Sequence, residues 1–162
     1  MTATQTKPQV GKKAPAFTVV NQNGQTVSLD DYEGQWVVLY FYPKDDTPGC
    51  TIEACEFTSG LEQFNKLNAV VLGVSADSPE SHKQFIKKFN LKFDLLADEQ
   101  KKMLQAYGVW VEKERDGKKS MGISRQTFII DPHGKIVHHW PQVTPQGHAD
   151  DVAKKLREAG AK

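Results

Sequence analysis

Only two of the 162 residues are cysteine, at positions 50 and 55, and no Cys-x-x-Cys pair occurs. That spacing argues against the common zinc ligand sets and against a thioredoxin-type dithiol. Two thiols are also too few to staple a disulfide-rich secreted scaffold. A dominant charge sign is lacking too, since 21 Lys and Arg against 20 Asp and Glu leave +1. No basic footprint for nucleic acid results. No apolar run approaches the roughly twenty residues of a membrane-spanning helix, and Met1–Lys7 has no apolar signal core. Long repeats and low-complexity stretches are missing as well. Together these absences predict one domain over residues 1–162, in a reducing cytoplasm, with no nucleic-acid or membrane partner.

What is present is concentrated around the first cysteine. The apolar run Trp36–Tyr42 reads as a buried strand. Pro43-Lys44-Asp45-Asp46-Thr47-Pro48-Gly49-Cys50 follows it, and beyond lie Phe57, Leu61 and Phe64 at helical spacing. Thr47 suits an N-cap and Pro48 the first helical position, which puts Cys50 at the third. Unpaired backbone N–H groups and the positive end of the helix dipole favour a thiolate there. A cysteine elsewhere reads first as a small buried hydrophobe, and for Cys55 taken alone that reading is as good as a reactive one.

The gap between the two thiols makes a structural prediction. On one regular helix a five-residue step puts the Cα atoms roughly 8–9 Å apart. A disulfide needs about 4.4–6.8 Å between Cα atoms. Cys50 and Cys55 on one helix therefore cannot bond until at least a turn unwinds. The expectation is a reduced helical form and an oxidised, partly unravelled one.

Elsewhere the chain alternates strands and helices. Phe17–Val20 and Thr26–Leu29 flank the hairpin signal Asn23-Gly24. Ala69–Ser75 reads as a second buried strand, and Ser78-Pro79-Glu80 opens a helix carrying Phe85, Ile86 and Phe89 inward. Leu95-Leu96 ends a short strand, and Asp98 caps a helix with Met103, Leu104 and Tyr107, stopped by Gly108. Val109–Met121 reads as an exposed loop or irregular hairpin. Thr127–Ile130 and Lys135–Val137 form a hairpin, and a last helix buries Val152, Ala153 and Leu156. This order predicts a mixed α/β sheet covered by helices on both faces.

Pro43-x-x-x-Thr47-x-x-Cys50 resembles the active-site signature of the peroxiredoxins. Thr47 to Cys55 resembles the bacterioferritin-comigratory-protein, or peroxiredoxin Q, subfamily, and the likeness runs from Gly11–Phe17 to Ser124–Phe128. The resemblance implies a thioredoxin-like fold: a central mixed sheet flanked by helices, with an N-terminal β-hairpin extension. It implies an antioxidant peroxidase for hydrogen peroxide and organic hydroperoxides, recycled by thioredoxin. By the same likeness Cys50 is the peroxidatic cysteine and Cys55 the resolving one. Thr47 hydrogen-bonds the peroxide, Pro43 shields the pocket, and Arg125 stands beside the thiolate. Resolution within one helix needs no second subunit, so a monomer is expected.

Two other readings stay open on the residues alone: a thiol–disulfide oxidoreductase, and a non-enzymatic redox sensor or holdase. No cofactor or metal is expected. Adjacent His138 and His139 face opposite sides of a strand, so with His133 they do not converge on one ion. Glu53 reads equally as a partner of Arg125 or as a dipole-favouring glutamate near the helix start. Tyr42 and Trp110 read as pocket lining or as core.

Overall fold

The structure, a computed structural model, describes residues 8–161. The polar lead Met1–Lys7 lies outside the described residues. The strands are β1 (Thr18–Asn21), β2 (Thr26–Ser28), β3 (Trp36–Phe41), β4 (Ala69–Ser75), β5 (Leu95–Ala97), β6 (Trp110–Arg115), β7 (Lys118–Ile123), β8 (Gln126–Ile130) and β9 (Ile136–Trp140). The helices are α1 (Pro48–Ser59), α2 (Leu61–Lys66), α3 (Pro79–Phe89), α4 (Lys102–Ala106) and α5 (His148–Ala159).

Seven strands form one sheet in the order β2-β1-β5-β4-β3-β8-β9. β3, β4 and β5 run parallel, and β8 and β9 continue antiparallel from β3. The N-terminal hairpin is more than an appendage. β1 pairs antiparallel with β5 through Val20↔Ala97 and Asn21↔Leu96, so the hairpin extends the same sheet. Its turn falls at the expected place, as a three-residue loop closed by Asn21 N–H on Gln25 O at 2.9 Å, with Gly24 at φ +72° and its N–H on Asn21 O at 3.0 Å.

Strand alternation sorts β3 into two core layers. Val38, Tyr40 and Tyr42 face a layer with Phe57, Phe64, Phe85, Val152 and Leu156, from α1, α2, α3 and α5. Val37, Leu39 and Phe41 face the other, with Met103, Leu104, Tyr107 and Phe128. The sheet is thus buried on both sides, which is why β3 and β4 read as unbroken apolar runs.

The structure departs from the sequence reading at four places. The Phe57, Leu61, Phe64 pattern spans two helices, because Gly60 ends α1 and begins α2. Tyr42 lies just past β3, though its N–H still bonds Val74 O at 3.1 Å. Asp98 holds α4 from outside its first turn by accepting from Leu104 N–H at 2.8 Å, while Lys101 takes the N-cap in left-handed backbone. The Val109–Met121 stretch contains most of a regular two-stranded hairpin, β6 with β7, closed by Asp116 and Gly117 at φ +53° and +77°. Two successive positive-φ residues make the turn type that matches strand twist.

Candidate active site

The site forms where β3 and β8 lie side by side. Their antiparallel register pairs Phe41 with Gln126, so the residue before β8, Arg125, sits beside the loop that leaves β3. That loop ends at Thr47, the N-cap of α1 with extended backbone (φ −95°, ψ 155°). Pro48 occupies the first helical position, and Cys50 follows at the third as the spacing required. The Thr47 hydroxyl does not cap the helix. It donates instead to Lys44 O at 2.9 Å, bracing the loop. Pro43 stands exposed beyond the strand end.

Cys50 is buried, and its Sγ accepts from Arg125 Nη2 at 3.3 Å. The other arm of the guanidinium, Nη1, donates to Glu53 Oε1 at 2.7 Å. Glycine at position 49 permits this approach, because a Cβ there would stand 3.1 Å from Arg125 Nη2. One planar cation therefore spans a thiol and a buried carboxyl, each given its own N–H donor. Cys55 is half-buried on the same helix, and the two cysteines are not bonded to each other.

Glu53 settles between its two sequence readings as the partner of Arg125. It is buried, and its Oε2 has no hydrogen-bond partner among the described residues. Burial pushes its carboxyl from 4.5 up to about 7, against the pull of Arg125. Between those two pH values the folded chain holds a proton that the unfolded chain has released. The stability from neutral Glu53 is therefore full below about pH 4.5 and lost as pH rises through about 7. Glu53→Gln is expected to remove this dependence, which is on the order of 3 kcal/mol across the window. Urea midpoints measured from pH 4.5 to 8 would check it, and parallel wild-type and variant profiles would contradict it.

The Tyr40 hydroxyl beneath the site is a second buried oxygen without a partner among the described residues. Burial and then the charges of Glu53 and Cys50 raise its phenol well above the ordinary value, so it stays protonated. Tyr42 and Trp110 both pack with the core, as one of their two readings has it. Tyr42 is buried with its hydroxyl on Asp45 Oδ1 at 2.5 Å, and Trp110 packs against the second core layer.

The histidines separate as strand geometry demands. His139 stacks on Phe128 at 4.1 Å between centroids, while His138 lies edge-on to Trp140 at 4.2 Å between centroids. His148 bonds the Thr127 hydroxyl at 2.8 Å, and burial lowers it to about 4, so it is a neutral core group. Sequence reasoning passed over Tyr40, Asp45 and His82. Of these only Asp45 carried a signal, its place in the loop before Cys50.

Known proteins resemble this chain in both sequence and fold. The AhpC/TSA family profile matches residues 10–139. Peroxiredoxin Bcp of Bacillus subtilis strain 168 is 45% identical over 154 residues, covering 95% of this chain and 98% of that protein. The bacterioferritin comigratory protein of Xanthomonas campestris superposes with a TM-score of 0.88 at 39% identity, covering 95% of this chain and all 100% of the other. A cysteine-to-serine mutant of Xylella fastidiosa PrxQ gives 0.90 at 39% identity, over 95% of this chain and 98% of the other. With a family match over most of its length and relatives of this similarity, the chain belongs to the AhpC/TSA family as a Bcp-type peroxiredoxin, a thiol-dependent peroxidase.

Proposed function

We propose that this chain reduces hydrogen peroxide and small organic hydroperoxides through Cys50, resolves the oxidised sulfur with Cys55, and is recycled by thioredoxin or a similar dithiol protein. The observation that carries this reading is Cys50 Sγ in the first turn of α1, 3.3 Å from a guanidinium nitrogen. Helix N–H groups and Arg125 both favour an anionic sulfur, the form that attacks peroxide. The X. campestris complexes concern alkyl peroxide reduction, which supports the organic hydroperoxide part of the reading.

In the first step the thiolate forms an S–O bond as the peroxide O–O bond breaks. The departing oxygen takes a proton and leaves as water or alcohol, and Cys50 becomes a sulfenic acid. Negative charge grows on that oxygen, where Arg125 stabilises the transition state more than the ground state. The Thr47 hydroxyl spends its proton on Lys44 O, so its oxygen accepts the O–H of the incoming peroxide. Pro43 shields the rim. The Cys55 thiol then condenses with the sulfenic acid, forming the disulfide and releasing water. A dithiol partner exchanges with that disulfide and restores both thiols.

Condensation requires the first turns of α1 to unwind, since both cysteines lie on one helix. The end of α1 is better held. Phe57 is fully buried and stacks on Tyr40 at 4.8 Å between centroids, so unwinding stops short of it. A single helix carrying both thiols makes a monomer sufficient, with residues 1–162 acting as one catalytic domain. Among the described residues no helix is long and apolar enough to cross a membrane. A thiol pair cycled by a dithiol protein suits the cytoplasm.

Thiol counting tests the scheme. One equivalent of hydrogen peroxide is expected to remove both titratable thiols from the wild type. In Cys55→Ser it should remove one and leave a sulfenic acid that a dimedone probe traps. Far-ultraviolet circular dichroism of the oxidised wild type should show the loss of about one to two helical turns. Two thiols still titratable after peroxide would end the proposal.

A further inference from the structure

The loop that presents Cys50 is tied to the scaffold by buried bonds at Asp45. Asp45 is buried, and its carboxylate collects three donors: Tyr42 Oη at 2.5 Å, Ser81 Oγ at 2.8 Å and His82 Nδ1 at 2.7 Å. Its backbone N–H donates to Asp77 Oδ2 at 2.8 Å, and that oxygen also accepts from Ser75 Oγ at 2.7 Å. His82 is fully buried in α3, and its Nε2 faces Leu96 O at 2.9 Å. Both ring nitrogens thus meet acceptors, and the ring links the catalytic loop through α3 to β5. Asp45, Asp77 and His82 bring ligand-type atoms within 4.8 Å of one another, but hydrogen bonds inside the cluster already occupy these atoms.

One residue later the restraint is of another kind. Asp46 adopts left-handed backbone at φ +58°, and its side chain makes an exposed pair with Lys88 at 2.8 Å. Buried bonds hold the chain up to Asp45, and solvent-screened ones hold it from Asp46 to the start of α1.

We propose that Asp45 and His82 form a buried clamp that fixes the near end of the catalytic loop, placing Thr47 and Cys50 for peroxide and marking where the unwinding of α1 begins. Both are positioning residues, since neither touches the reacting sulfur. The inference rests on the two-step reading above. In that scheme the peroxide step needs the loop ordered and the disulfide step needs it loose. A clamp on one side of the hinge favours the first and slows the second. Releasing it should move the two rates in opposite directions.

Stopped-flow measurement of both steps tests this: the second-order rate of Cys50 oxidation by hydrogen peroxide and the first-order rate of disulfide formation. Asp45→Ala is expected to slow oxidation about tenfold and to speed disulfide formation several-fold. Asp45→Asn rebuilds a neutral version of the bond set, with its amide N–H on His82 Nδ1, and should return both rates toward wild type. Should Asp45→Ala fail to fold with His82 stranded, the double variant Asp45→Ala/His82→Leu removes both polar partners and should show the same opposed shift. Lys88→Ala, which breaks only the exposed pair, should leave both rates unchanged.

Rates that fall together in the clamp variants would overturn the proposal, because general loosening moves both the same way. Unchanged rates would overturn it too. A wild type that forms neither sulfenic acid nor disulfide with peroxide would instead refute the underlying two-step reading, so the two failures are distinguishable.

Discussion

Cys50→Ser is expected to reduce peroxide turnover to the uncatalysed background, a loss of at least about a thousandfold. The measurement is NADPH oxidation coupled through thioredoxin and its reductase. Serine replaces one atom and keeps the helix start, so Arg125 still finds an acceptor where Sγ now lies at 3.3 Å. The fold should survive, and the loss then reports chemistry alone. A serine hydroxyl stays protonated at neutral pH, and among the described residues the side-chain donor at this position is Arg125, with no imidazole in hydrogen-bond contact to act as a base. The oxygen also has no counterpart to the sulfenic acid on which the proposed resolution by Cys55 depends. Robust turnover by Cys50→Ser would move the nucleophile elsewhere, and Cys55 would be the remaining thiol to examine.

Some of this site could be read from the chain because its determinants are local. Thr47-Pro48-Gly49 fixes where α1 begins, and counting from that start puts Cys50 at the third helical position. The apolar runs of β3 and β4 announce a sheet buried on both faces. Local signals also misled. Phe57, Leu61 and Phe64 keep a helical period across Gly60, where the backbone breaks, because each still returns to the same core layer. The hairpin of β6 and β7 is mostly exposed, so its strands carry no apolar alternation, and only its charged residues and Gly117 marked it.

What could not be read is what the sheet assembles. Arg125 and Glu53 are 72 residues apart and meet because Gln126 pairs with Phe41. His82 and Asp45 are 37 apart and meet because α3 packs over the end of the parallel strands. Neither pairing leaves a mark in composition or period. Each depends on register, which many local patterns must fix together. The likeness to peroxiredoxins supplied Arg125, whereas nothing in the local sequence pointed to His82.

Arg125→Met is expected to lower kcat/KM for hydrogen peroxide by about a hundred- to a thousandfold, the usual cost of losing one preorganised donor to developing charge. Methionine keeps length and apolar volume but supplies neither charge nor N–H. Cys50 loses its donor at 3.3 Å, and the departing oxygen loses its stabilising cation. Arg125→Lys should fall between, since an ammonium restores charge but cannot serve Glu53 and Cys50 with a planar fork. Stability should change less than the rate. Breaking a buried ion pair commonly costs about 3–5 kcal/mol by stranding the surviving charge. Glu53 escapes much of that, because burial has already raised its carboxyl to about 7 and the variant can protonate it. The variant should therefore be close to wild type in stability at pH 5 and weaker at pH 8, where an ionised Glu53 would have no partner. Steady-state kinetics with hydrogen peroxide and urea unfolding at both pH values measure the two effects. A kcat/KM within threefold of wild type would remove Arg125 from the chemistry and leave it a structural partner of Glu53.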